Sequence, residues 1–270
     1  MVDTTSRTAP ETAGREAQSA DAVSVGDVAP MSMLVPMLQR AIAARHDPGR
    51  PLCVGIVGLP GCGKSTFAQA LLQQVGMAGG LAVSLDDFYL DATERKRRGI
   101  ARRGPPGTHD TALLGRFVEQ ISSVTGTAGG AGQGHIDIPQ FDRDRELRRP
   151  SVWRAVSVAE PLPLVVIEGW FVGAHAPGYE GLAARLDWLI YLDMAVSDAS
   201  AARMGREAKL REAGSPVMSP DEAEQFWEAS LAPHFARWVY PLRAMADAVV
   251  ALDAVHAPGR WVVRRTPRLR

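Results

Sequence analysis

Leu52-Cys53-Val54-Gly55-Ile56-Val57-Gly58-Leu59-Pro60-Gly61-Cys62-Gly63-Lys64-Ser65-Thr66 decides how this chain is read. Leu52 to Val57 form a continuous apolar run, which predicts a strand buried on both faces of a parallel sheet. Gly58 to Ser65 then fit G-x-x-x-x-G-K-[ST], and a helix is predicted from about Lys64 to Val75. Strand, glycine loop and helix in that order are the context in which this motif cradles phosphate. The glycines let backbone N–H groups turn inward, and the helix N-terminus adds a partial positive charge. Lys64 can reach β- and γ-phosphates, and the Ser65 hydroxyl can ligate Mg²⁺. Gly58, Leu59, Pro60, Gly61, Cys62, Gly63, Lys64, Ser65 and Thr66 are therefore the candidate nucleotide contacts. Cys62 has no adjacent histidine and reads as a small loop residue, not a nucleophile.

Further apolar runs lie on either side of this unit. Leu81–Leu85, Leu164–Ile167, Leu186–Leu192 and Ala248–Leu252 predict four more strands. Helical patterns fill 111–124, 196–213 and 220–246, so the fold class expected is α/β, with a mainly parallel five-stranded sheet. Upstream, Met33, Leu34, Met37, Leu38 and Ile42 predict a helix over 31–46, with Ser32 as its cap and Pro36 near its first turn. Residues 1–30 are polar, with two arginines against five acids, and read as a disordered tail. That leaves 31–270 as a single domain, with a glycine-rich linker or loop tip at 125–134.

Composition sets limits on function. The 270 residues carry 30 Lys+Arg and 30 Asp+Glu, a neutral balance unlike that of a dedicated nucleic-acid binder. No apolar run approaches the ~18 residues of a membrane span, so no membrane partner is expected. Two cysteines suit a reducing compartment and a cytoplasmic protein. The six histidines lack metal-ligand spacing. Lys64, Lys96 and Lys209 are the only lysines, and one of them stands at the position of the phosphate loop that calls for a compact ammonium.

Acids at strand ends are the next candidates, because ligands bind at the carboxyl edge of such sheets. Glu168 ends the Leu164–Ile167 run and is either a Mg²⁺-side acid or a surface acid of the next loop. Asp193 ends another run and reads as a cap of the following helix. Asp86 and Asp87 end the second strand; one is a candidate general base, the alternative being a turn aspartate. Arginines crowd 95–103 and 143–149, and Arg203, Arg206 and Arg211 share a predicted helix with Lys209. The first two groups suit an anionic small-molecule acceptor, for which Arg offers a bidentate fork. His109, in a loop, is a candidate hydrogen-bond partner for that acceptor or a loop-stabilising residue.

The phosphate loop, Ser84-Leu85-Asp86-Asp87-Phe88-Tyr89 and Glu168-Gly169-Trp170 together resemble the P-loop small-molecule kinases. That group includes uridine kinase, phosphoribulokinase, pantothenate kinase and D-glycerate 3-kinase. Arg103-Gly104-Pro105-Pro106-Gly107-Thr108-His109-Asp110, Ile138-Pro139-Gln140-Phe141-Asp142 and Met218-Ser219-Pro220-Asp221-Glu222 are most similar to elements of the D-glycerate 3-kinases. The chain departs from that family at Arg143–Pro150, which lacks its Gly-x-Gly-Asp pattern, and around Arg203–Glu207, which lacks its Trp and glutamines. The resemblance implies a P-loop NTPase three-layer sandwich with a helical lid. It further implies ATP and Mg²⁺ as cofactors, Asp86 as the base, Lys64 and the lid's Arg206 as catalytic cations, and Ser65 with Glu168 at the metal. Acceptor contacts would come from Asp86, Tyr89, Arg103, His109 and Asp142. The expected reaction is phosphorylation of a small organic acid, foremost D-glycerate to 3-phosphoglycerate. A nucleoside or pantothenate-like alcohol is the alternative acceptor, and a non-catalytic nucleotide-binding regulator is the alternative class.

Overall fold

A computed structural model describes residues 23–24, 30–45, 50–76, 80–123, 134–143, 145–148, 154–158, 162–215 and 217–268. The apolar run at the phosphate loop becomes β2 (Leu52–Gly58), buried at every position. Its full burial follows from its place in the sheet. The order is β1-β11-β10-β9-β2-β8-β3, which sets β2 between two parallel neighbours. These are β8 (Leu164–Glu168) and β9 (Trp188–Asp193), in register as Val54↔Val166 and Val54↔Trp188. β3 (Leu81–Ser84) and β10 (Ala248–Leu252) extend the parallel set on either side.

The five predicted strands are all present, but the sheet has seven. β11 (Pro258–Val263) and β1 (Val23–Ser24) add antiparallel to the β10 side. β1 thus sets two residues of the stretch read as tail against Val262 and Val263. The other residues of 1–29 lie outside the described residues, as do 46–49 and 124–133. Two small antiparallel pairs stand apart, β4 (Gly134–Ile138) with β7 (Arg154–Val158) and β5 (Phe141–Asp142) with β6 (Leu147–Arg148).

Helices cover the sheet to give a three-layer α/β sandwich. α1 (Pro30–Ala43) packs on α2 (Lys64–Val75), which lies on β2, β3 and β8. Helix α1 starts at Pro30, so Ser32 is not its cap and Pro36 falls in the second turn. The basic stretch at 91–110 contains α3 (Ala92–Arg97), capped by Asp91, whose carboxylate accepts from Glu94 N–H at 2.8 Å. α4 (Thr111–Ser123) packs on α5 (Glu180–Arg185). α6 (Val196–Glu212) follows β9. Asp193 does not cap it: Ala195 holds that position, and the Asp193 carboxylate accepts from Arg243 Nε at 2.8 Å.

The long helical pattern at 220–246 is broken into pieces. α7 (Pro220–Phe226) opens on a capping box between Ser219 and Glu222. A π-helical turn at Trp227–Leu231 leads into α8 (Ala232–Trp238) and α9 (Tyr240–Met245). Each of the last two carries a proline in its first turn, where the missing N–H has no partner to lose.

The end of the sheet opposite the phosphate loop is tied by two buried acids. Asp187 accepts from Cys53 N–H at 2.9 Å and pairs with Arg50 and Arg185 at 3.0 and 3.2 Å. Asp247 accepts from Leu189 N–H at 2.8 Å. No helix among the described residues is long and apolar enough to cross a membrane.

Candidate active site

The phosphate loop owes its shape to two glycines. Gly61 and Gly63 have φ of +98° and +82°, where L side chains are strained. A Cβ on Gly61 would also stand 2.1 Å from the Ala199 carbonyl oxygen of α6. Gly63 caps α2 with no side-chain acceptor, so the first-turn N–H groups are left for an anion. Lys64 is 9% exposed and donates from Nζ to the Leu59 carbonyl at 2.9 Å. Ser65 donates from Oγ to Glu168 Oε1 at 2.8 Å, joining the loop to the end of β8. These two hard oxygen donors fit a Mg²⁺ ion.

β3 ends in a 3₁₀ turn, Leu85–Phe88, that carries both aspartates. Ser84 Oγ accepts from Asp86 N–H at 3.3 Å and fixes the turn. Arg143 then donates to the Asp86 carboxylate at 2.9 Å. Burial raises the Asp86 pKa, but Arg143, with Lys64 and Arg103 farther off, outweighs it and holds this carboxyl below the ordinary range. Asp87 behaves differently. Burial pushes it up to about 6, and its Oδ1 accepts from Phe141 N–H at 3.4 Å, so it anchors β5. Neighbours in sequence are thus an ionised acid at the cavity and a structural acid beside it.

Two spaces meet at Asp86. One of about 450 Å³ runs over Lys64, Ser65 and Glu168, and one of about 330 Å³ runs past Tyr89, Arg103 and Glu146. Asp86, Arg143, Trp170, Arg203 and Arg206 wall both, so the phosphate loop communicates with the Asp86 carboxylate. Trp170, 4% exposed, packs edge-on against Phe171, which is buried behind it. On α6, Arg203 lies over the Phe226 ring at 5.3 Å and 3.6 Å from Glu207, with Nε buried and unpartnered. Burial lowers its pKa. Arg206, one turn on, is exposed at the rim.

Not every predicted residue reaches the cavity. His109 is 1% exposed and does not line the cavity. Its ring stacks on Tyr89 at 4.0 Å, and Nδ1 lies 2.9 Å from the Tyr179 hydroxyl. That hydroxyl also accepts from Gly107 N–H at 3.1 Å, while His109 Nε2 is buried with no hydrogen-bond partner. Burial pushes His109 down to about 3, so it is neutral. Tyr89 lines the cavity while its hydroxyl donates to the Gly104 carbonyl at 3.5 Å. Asp142 holds the Arg145 N–H at 3.1 Å and lies off the cavity wall. Cys62 faces a third, apolar cavity of about 450 Å³ beside Phe67 and Leu252, whereas Thr66 and His256 line both that space and the phosphate-loop cavity.

His256 had no signal in the sequence. It sits in the turn after β10 with φ +61°, and its Nε2 lies 2.8 Å from the Gly61 carbonyl oxygen. Only the strand order, which brings the β10 loop beside the phosphate loop, reveals it.

No family model matches the chain. An uncharacterized kinase of Schizosaccharomyces pombe is 31% identical over 140 residues, which cover 46% of this chain and 48% of that protein. The chain thus spans about half the length of this relative. A uridine kinase of Chloroflexus aurantiacus is 25% identical over 228 residues, covering 80% of this chain and 98% of its own length. Among solved structures, a D-glycerate 3-kinase of Cryptococcus neoformans superposes with a TM-score of 0.64 at 16% identity, covering 85% of this chain and 97% of that one. The fold is that of the P-loop small-molecule kinases, and the chain is similar to kinases of the uridine kinase, phosphoribulokinase and glycerate kinase type. That similarity implies the use of ATP.

Proposed function

We propose that this protein transfers the γ-phosphoryl group of ATP to a hydroxyl of a small organic acid, with D-glycerate going to 3-phosphoglycerate as the best fit. One observation carries the reading. A continuous cavity joins the phosphate loop to an aspartate held ionised by Arg143, and its wall carries Arg103, Arg203 and Arg206. Such a wall suits an anion; uridine carries none, and glycerate carries a carboxylate that Arg can grip by its fork.

The chain's own groups divide the work. Lys64 and the N–H groups of the loop hold the nucleotide phosphates, with the apolar cavity beside Phe67 and Leu252 available to the base. Ser65 and Glu168 offer oxygens to Mg²⁺, which when bound neutralises charge on the phosphates. Asp86 accepts the proton of the acceptor hydroxyl. Arg203 and Arg206 steady the charge spread over the transferring group. Little covalent help is needed, so catalysis is mainly positioning. The partner is a small anion, and no nucleic acid is required.

A coupled ADP-release assay over D-glycerate, pantothenate and uridine tests this. Turnover is expected with glycerate. Strong turnover with uridine and none with glycerate would reject the acid and keep the kinase. ATP hydrolysis indifferent to all three would point instead to a nucleotide-binding regulator.

A further inference from the structure

Glu146 stands in the turn between β5 and β6 with φ +52°, a left-handed conformation uncommon for a side-chain-bearing residue. Three of its groups are engaged. Its carbonyl oxygen accepts from Ala92 N–H at 2.9 Å, which ties the turn to the start of α3. Its carboxylate serves two arginines, Oε1 accepting from Arg103 and Oε2 from Arg95. Arg103 lines the acceptor cavity beside Glu146. Arg95 is 2% exposed, stands behind that wall, and donates from Nη1 to the Leu90 carbonyl at 2.6 Å. Two guanidiniums converging on one carboxylate is an arrangement that seats the acidic group of a ligand. Here the chain fills the seat itself. The other acids on the cavity wall, Asp86 and Glu207, each face one arginine, at 2.9 and 3.6 Å. Arg206, on the same wall, has no ion pair among the described residues.

We propose that Glu146 is a specificity-determining residue: a built-in carboxylate that fills an anion seat on the acceptor wall and so excludes acceptors bearing a second negative charge. The proposal rests on reading this cavity as the acceptor site of a kinase. A hydroxy acid brings one carboxylate, a single charge that the arginines of this wall can balance. A phosphorylated alcohol brings a dianion, and its extra charge would confront Glu146 in a partly water-excluded space. Repulsion of the wrong ligand is as effective a source of specificity as attraction of the right one.

The test compares D-glycerate with glycerol 3-phosphate in the same ADP-release assay. Glu146→Gln keeps the shape and the backbone tie to Ala92 while removing the charge. It should raise the ratio of kcat/KM for glycerol 3-phosphate over D-glycerate by about tenfold, chiefly through KM. Glu146→Asp, which keeps the charge, should hold the wild-type preference. A ratio in Glu146→Gln within about twofold of wild type would overturn the proposal, and so would an equal shift in Glu146→Asp, which would mark a packing role. A second readout does not depend on turnover. Inorganic phosphate should bind the ADP-loaded Glu146→Gln protein about tenfold tighter than the ADP-loaded wild type, and equal affinities would overturn the proposal. ADP affinity, measured first, reports on the kinase reading separately, because Glu146 does not touch the phosphate loop.

Discussion

Lys64 and Asp86 line one cavity. Lys64→Ala removes the compact cation from the phosphate loop, and Asp86→Asn removes the proton acceptor. Each should leave a folded protein with phosphoryl transfer reduced by at least ~100-fold in the ADP-release assay. Near-normal turnover in Asp86→Asn would remove it as the base. His109 acts on stability instead. Its pKa falls from 6.5 to about 3 on folding, so its contribution is complete above 6.5 and is lost as pH drops toward 3. His109→Asn keeps an acceptor for Tyr179 and should flatten this acid-side loss, read by urea unfolding at about pH 7 and about pH 4.5. Asp87 runs the other way: raised from 3.8 to about 6, its contribution is complete at low pH and is lost as pH rises through 6. Asp87→Asn should therefore gain on wild type as pH rises over that window. Roles at this scale were unevenly legible. The motif spacing singled out Lys64 and Ser65, whereas only packing shows that Asp87 anchors Phe141 and that His109 is sealed behind Tyr89.

Elements were easiest to read where both faces are buried. β2, β8 and β9 are uninterrupted apolar runs, because a central parallel strand meets helices on both sides. β11 is hard to read because its apolar residues, Trp261, Val262 and Val263, form a short run between Arg260 and Arg264. The break in 220–246 escaped because a π-helical turn preserves a roughly helical spacing of apolar residues. What joins the elements is equally hidden. Asp187 precedes β9, yet it accepts from the N–H of Cys53 in β2 and pairs with two arginines. Asp187→Ala should destabilise the fold by about 3–5 kcal/mol, since it leaves Arg185 buried without a counter-charge. ADP affinity at a temperature where the variant is still folded should be unchanged. A weakened affinity there would show that the knot also shapes the phosphate loop.

At the scale of the whole molecule, zero net charge is a cancellation. Residues 1–30 hold two arginines against five acids, while arginines gather around the cavity. Activity that depends on this local field should fall as salt rises, through KM for the acceptor more than through kcat. A KM indifferent to salt between about 0.05 and 0.5 M would argue for a neutral acceptor. The first described strand has a different role. β1 covers the outer side of β11, so removing residues 1–29 bares a row of unpaired backbone groups and should promote self-association in sedimentation or light scattering. The sheet's centre has the opposite character. β2 is paired on both sides, tied by Asp187 at its start, and continues into the phosphate loop at its end. Amides on such a strand exchange with solvent only when the entire molecule opens, whereas β1 and β11 can fray alone. The phosphate loop should therefore be among the last parts to open, while the β10–β11 turn that sets His256 against Gly61 can loosen with the edge.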